Sequence, residues 1–428
     1  MAYGVLALGG ANAASLLAVP IYIRVLGREE WGLAAACVLL QTIASFLDAG
    51  LSQIVPREIS VASHDRACMR HLLAYLRKRY LVAASILLIS VEIVSSLLAE
   101  NWFQASQDEQ YRLTIALRIS AIQVFFQLMN SMNMGVWFGL ERHRTANLRS
   151  TLFIAARHST AILCILLWNP SVIVYCSSFA VITAVEYIAN TISIQKLVKS
   201  RFEACCCGDG VGAGVPQRSA FGAGLLLLTA GAIVGLAVSQ SDKIAMSRFA
   251  SLSDYGVYSA VAAIAASLLA LQAPVSRVFL PRLVGDFRAH GWPTRGVLMK
   301  FGVSMALIAV APAIVAAMFA DQILRLFFVD VGSIALGVPV LQLQAVGVAL
   351  SAPLACLYLV MLANGQYRPM LALNAVALIS LIVLVMVFPD RSDIRMGGAM
   401  YIVAAVIRVI GASAWFGAQS QRVTSRAQ

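Results

Sequence analysis

Apolar runs of roughly 18 to 25 residues recur from one end of this chain to the other, each long enough for an α-helix to cross ~30 Å of hydrocarbon. About twelve can be drawn, at 3–23, 31–54, 80–99, 113–139, 151–168 and 172–194, then at 221–240, 254–276, 301–320, 335–363, 371–388 and 397–416. Composition agrees: 60% of the 428 residues are hydrophobic and 12% charged, where soluble domains carry ~25% charged residues. Mean hydropathy is +0.82. A single water-soluble core that swallowed every run would exceed what chains of this length build. The expectation is an all-α integral membrane protein of about twelve transmembrane helices.

The second constraint is internal repetition. Arg24, Arg28, Glu30, Trp31, Gly32 and Leu33 precede the second run; Arg248, Asp254, Tyr255, Gly256 and Val257 stand about 224 residues later, in the same order before the eighth. Pro56-Arg57 and Pro281-Arg282 follow these runs and are expected to close their helices. Repeated halves suit a transporter built as two similar lobes. The expected division is an N-terminal six-helix lobe at 1–194, a linker at 195–220 rich in glycine with Pro216, a C-terminal six-helix lobe at 221–416, and a tail at 417–428.

Connector charge gives orientation. With a cytoplasmic amino terminus, 21 of the 32 lysines and arginines fall in inner connectors and the tail, and 8 in outer connectors. The positive-inside rule therefore puts both termini in the cytoplasm. The same bias, with attraction to anionic lipid headgroups, accounts for the net charge of +12 without a nucleic-acid partner.

Other readings find little support. Ala11-Asn12-Ala13 resembles a signal-peptide cleavage site, but no basic segment precedes it and the apolar run continues to Ile23, so a retained span is expected. Cys37, Cys164, Cys176 and Cys356 lie in spans, whereas Cys68 and Cys205-Cys206-Cys207 fall on the reducing side, so no disulfide framework is expected. The cysteine triplet lacks a histidine or second cysteine pair beside it, and no metal or other cofactor is expected. The glycine run at 208–214 lacks the GxxxxGK[ST] pattern of a phosphate-binding loop. Sequences such as HExxH or GxSxG are missing too, which speaks against an enzyme. The loop after the second run reads PREISVASHDRACMR, without the GxxxD-R/K-x-G-R/K pattern of major-facilitator transporters.

Three stretches, IRVLGREEWGLAAA, SFLDAGLSQIVPREIS and QSDKIAMSRFASLSDYGVYSAVAAI, resemble the polysaccharide-transporter branch of the multidrug/oligosaccharidyl-lipid/polysaccharide exporter superfamily, and within it the O-antigen (Wzx-type) flippases. The resemblance implies two pseudo-symmetric six-helix lobes around a central lumen. It also implies a substrate, an undecaprenyl-diphosphate-linked oligosaccharide carried across the bacterial inner membrane. A polysaccharide polymerase and a chain-length regulator would be partners besides membrane lipids, and H+ or Na+ the coupling ion. Gly32, Gly50, Arg57, Asp242 and Gly256 are motif positions. The chain departs from many relatives in lacking a short basic segment before the first span. Its twelve rather than fourteen spans point away from a lipid II flippase. The alternatives are a cation-coupled multidrug antiporter of the same superfamily and a membrane-embedded glycan polymerase or transferase.

Charges inside spans are costly, so they need partners, a cavity or a route to the interface. Six stand out: Asp48, Glu92, Arg118, Arg157, Glu186 and Arg408. Arg408, near the middle of the last span, either lines the lumen or sits in a buried pair. Glu92 and Arg118 lie at depths that let them meet, and Arg157 is close enough to its helix end to snorkel. Asp48 and Glu186 are candidates for ion coupling or for structural roles. A diphosphate needs cations, which makes Arg408, Arg118, Arg24 and Arg248 the candidates for binding it. Arg24 and Arg248 either form an outer gate or anchor the interface. Trp31 and Tyr255 are expected in the interfacial aromatic belt, and Asp242 is expected to pair with Lys243.

Overall fold

The computed structural model describes residues 2–62, 66–203 and 223–427, with side chains described at 14–44, 55–56, 58–60, 62, 69–200, 230–231 and 233–421. Among the described residues the regular structure is helical, as a lipid-exposed backbone that must satisfy its own N–H and C=O groups requires. Two compact units, Met1–Phe221 and Gly222–Gln428, divide the chain. Helices occupy all twelve predicted positions. Nine are long and apolar enough to cross a membrane when only described residues are considered.

The first unit holds α1 (Ala2–Ala62), α2 (Arg66–Asn101), α3 (Gln107–Gly139), α4 (His143–Leu167) and α5 (Val172–Glu203). α1 supplies two spans because Gly27, at φ 81 and ψ 174, breaks it into two arms. Residues with a Cβ rarely adopt that conformation. The core of this unit gathers Val55 and Ile59 of α1, Tyr80 and Ala84 of α2, and Leu128, Met132 and Val136 of α3. Gly139 lets α3 approach α1, since a Cβ there would lie 2.6 Å from the Pro56 carbonyl oxygen.

The second unit holds α6 (Ala223–Phe249), α7 (Leu252–Ala270), α8 (Gln272–His290), α9 (Arg295–Met305), α10 (Ala311–Met318), α11 (Ala320–Phe327), α12 (Val331–Ala363), α13 (Tyr367–Val387) and α14 (Arg395–Ala427). A π-helical turn at Ala306–Val310 joins α9 to α10 as one interrupted span. α7 and α8 likewise form one long rod. α11 is an unforeseen short helix. Its Asp321–Arg325 pair faces outward at 2.7 Å while Leu324 and Phe327 are buried.

The repeat continues far beyond the matching motifs. The chain breaks at Gly27 and at Ser251, which caps α7, are 224 residues apart. α3 and α12 begin at Gln107 and Val331, capped by Ser106 and Asp330; α4 and α13 begin at His143 and Tyr367. These pairs keep the same offset, and α5 and α14, at Val172 and Arg395, miss it by one residue. Core positions follow: Val55, Ile59, Leu128 and Val136 in one unit correspond to Phe279, Leu283, Ala352 and Val360 in the other.

Several boundaries differ from expectation. α1 continues through Pro56 to Ala62 and α8 through Pro281 to His290, so neither proline closes its helix. Membrane helices tolerate such prolines because neighbouring groups can satisfy the freed carbonyl. α5 extends to Glu203, into the expected linker, and α14 to Ala427, through the expected tail. Lys196, Lys199 and Arg201 are good helix formers, so the helix outlasts the apolar run that revealed it. The cysteine triplet and the glycine run lie outside the described residues.

Candidate functional site

Each unit contains a polar cavity at a corresponding place in the repeat. In the first unit a cavity of about 220 Å³ is lined by Gln127, Asn130 and Ser131 of α3, Arg157 of α4, and Thr183 and Glu186 of α5. In the second, a cavity of about 290 Å³ is lined by Ser351, Leu354 and Ala355 of α12, Asp242 of α6, and Tyr401 and Arg408 of α14. The three α3 residues and the three α12 residues are related by the 224-residue offset. Shared position does not bring shared chemistry, because the charges differ.

The first cavity is internally neutralised. Arg157 Nη2 lies 3.1 Å from Glu186 Oε2, and both side chains are largely withdrawn from the surface, at 17% and 4% exposure. Arg157 therefore does not snorkel; its nearest opposite charge lies inward. Asn130 donates to Glu186 Oε1 at 2.9 Å and accepts from Asn190 at 2.9 Å, tying α3 to α5. Arg157 Nε is a buried donor with no partner, aimed at the same region. A carboxylate held by one cation and one amide can exchange its guanidinium partner for a small cation or a proton.

The second cavity carries charge less completely compensated. Arg408 is half-buried and spends its Nε on the Ala404 carbonyl, 2.8 Å away on its own helix. It forms no ion pair with a described residue. Its two terminal nitrogens can thus meet an incoming anion, and a guanidinium offers paired donors that match phosphate oxygens. Asp242 accepts a short hydrogen bond from the Tyr258 hydroxyl, which also accepts from Gln344 Nε2 at 3.1 Å. Asp242 Oδ1 is buried without a partner. Lys243, next to Asp242 on α6, donates to Gln240 at 2.8 Å.

Other sequence candidates are placed differently. Arg118 and Glu92 meet at 3.6 Å, with Arg118 also donating to Ser95 Oγ at 3.1 Å. This pair is about half exposed and lines neither cavity. Arg24 is exposed and Arg248 half-buried, near the two chain breaks. Gly32 and Gly256 are buried. Trp31 and Tyr255 are 6% and 1% exposed, so they are core residues rather than an aromatic belt. The reason is local: Tyr22 stacks on Trp31 at 6.0 Å and meets Tyr175 edge-on at 5.0 Å. Side chains of Asp48, Gly50 and Arg57 lie outside the described residues.

Sequence reading missed the residues that make these sites specific. Asn130, Asn190, Tyr258 and Gln344 are uncharged and so gave no signal among apolar neighbours; their buried amides and hydroxyl matter through their partners. Glu30 was seen only as a motif acid. It pairs with Arg112 of α3 and accepts from the Val172 amide at 2.6 Å, capping the start of α5. That carboxylate fastens the break in α1 to the starts of α3 and α5, where a helix N-terminus favours negative charge.

No curated protein sequence matches the chain. Among solved structures, the lipid II flippase MurJ in an inward closed conformation superposes with a TM-score of 0.69 at 12% identity, covering 96% of this chain and 87% of that one. The MATE multidrug transporter DinF-BH gives 0.63 at 16% identity, covering 96% and 93%. An inward-facing MATE family transporter of the MOP superfamily gives 0.62 at 14% identity, covering 96% and 95%. These likenesses establish the fold. The family model described as "Polysaccharide biosynthesis protein" matches residues 2–285, well over half of the sequence, and the chain therefore belongs to that family, as a multi-pass membrane protein with the fold of MOP-superfamily transporters.

Proposed function

We propose that the protein is a flippase for undecaprenyl-diphosphate-linked oligosaccharide repeat units, moving them across a bacterial inner membrane with both termini cytoplasmic. The observation that carries this reading is Arg408: a guanidinium deep in a span, bonded among the described residues to its own helix, and open to a cavity. An uncompensated cation at membrane depth is costly, and an anionic ligand that visits during the cycle offsets that cost. A lipid diphosphate has the charge and the paired oxygens to do so. Family membership connects the substrate to polysaccharide assembly.

Ion coupling falls to the other unit in this reading. Glu186, held by Arg157 and Asn130, is the group that takes up H+ or Na+ when its guanidinium partner swings away. Separating the anion site and the cation site between two repeats lets each bind without neutralising the other. Outer-connector residues Arg24 and Arg248 would then serve the exit path. The polymerase and chain-length regulator would receive the product.

The test is a strain lacking the gene. It should accumulate lipid-linked repeat units on the cytoplasmic side and lose the surface glycan, with both restored by the wild-type gene. Normal glycan export together with altered tolerance to cationic drugs would replace the flippase reading with the multidrug antiporter.

A further inference from the structure

A second cationic cavity, of about 470 Å³, lies at one end of the first unit, apart from the cavity that holds Glu186. α2 and α5 form its walls and α3 its floor; both walls pack on α3 but make no extended contact with each other, so a groove stays open between them. Arg70 and Arg77 enter from α2 and Lys199 from α5, while Leu73, Met132 and Val198 make an apolar bed. Among the described residues that line it, none is acidic.

The placement of the arginines is unusual for a solvated charge run. Residues seven apart share a helix face, and Arg70 and Arg77 are on the face of α2 that buries Met69, Tyr80 and Ala84 farther along. The opposite face carries Tyr75, Val82, Ile86, Ile89 and Ile93, all exposed. The two arginines, both exposed, thus border the groove rather than the lipid-facing side of α2, and neither bonds to a described residue. They also lie just before the point where the apolar run of α2 begins at Tyr80, the level of lipid headgroups.

We propose that this groove binds an anionic phospholipid of the adjoining leaflet, its phosphate between Arg70, Arg77 and Lys199 and the start of an acyl chain on the apolar bed. The inference is independent of what the protein transports. Cations at the rim fit the phosphate, the cavity has room for much more than that group, and a groove left open between two helices admits a chain from the side. A bound lipid would brace α2 against α5 where protein contacts are missing.

The test is thermal unfolding of the purified full-length protein in neutral detergent, titrated with phosphatidylglycerol, phosphatidylcholine or inorganic phosphate. Phosphatidylglycerol should raise the midpoint and phosphatidylcholine should not. The Arg70→Gln, Arg77→Gln double variant should unfold normally without lipid but need about thirty-fold more phosphatidylglycerol, since each basic residue near anionic lipid contributes about fivefold. A control double variant, Arg288→Gln with Arg295→Gln, removes equal charge from the second unit and should respond like wild type. An unchanged response of the first double variant, equal loss in the control, or full stabilisation by inorganic phosphate alone would each overturn the proposal.

Discussion

At the residue scale, the proposed function rests on two side chains, and each can be separated from its structural role. Replacing Arg408 by alanine should abolish glycan export while leaving the amount of protein in the membrane unchanged, because among the described residues it bonds to the Ala404 carbonyl of the same helix alone. Lysine keeps the charge but not the planar fork, and should retain part of the export. A fall in abundance for the alanine variant would identify a structural group instead. The Arg157–Glu186 pair behaves oppositely. Arg157→Leu alone strands a buried carboxylate, a change that costs ~3–5 kcal/mol when a buried pair is broken, so abundance should drop. Arg157→Leu with Glu186→Leu should recover abundance and still fail to transport. Export by the double variant would exclude Glu186 from coupling. Of this chemistry, the sequence showed the charged members and little else. Arg408 and Glu186 stood out because a charge inside an apolar run has few innocent explanations. Asn130 and Tyr258 did not, since one polar neutral residue in a span is unremarkable until its partner is known.

Helices were legible here to the extent that their causes are local. Apolar length placed every span, but the features that shape the elements depend on neighbours: the overshoot of α5, the passage of α1 through Pro56, the π-helical turn at Ala306–Val310 and the short α11. Trp31 makes the same point. Its ring suited an interfacial belt on chemistry alone, yet it is buried against Tyr22, which Tyr175 in turn packs edge-on. Contact between α1 and α3 offers a test at this scale. Gly139 faces the Pro56 carbonyl and the Ile59 side chain so closely that a Cβ would sit 2.6 to 2.7 Å from both. Backbone cannot yield as a flexible side chain does, and overpacking a tight core costs ~1–3 kcal/mol. Gly139→Val should therefore lower the unfolding midpoint of the detergent-purified protein. By contrast Gly285→Ala, at a position with open space around its would-be Cβ, should leave it unchanged.

For the whole molecule, the constant 224-residue offset has a consequence for orientation. Five helices provide six crossings in the first unit because α1 is broken at Gly27, and an even number returns the chain to the side from which it entered. The second unit then starts on that same side, so the connectors of both units can carry the same charge bias. An odd number would have inverted the second unit and forced its basic connectors outward, against the positive-inside rule. Basic residues do crowd corresponding helix ends: Arg142 and Arg144 at the start of α4 match Arg368 at the start of α13, and Arg70, Arg77, Lys78 and Arg79 early in α2 match Arg288 at the end of α8 with Arg295 and Lys300 in α9. Topology reporters fused after Arg79, Arg149, Lys199 and Lys300 should therefore report the cytoplasm, and reporters near Asp108 and Asp390 the periplasm. Two contrary results among these six would break the parity argument, because moving any pair of connectors across the membrane requires a span to be lost or gained in one repeat without its counterpart.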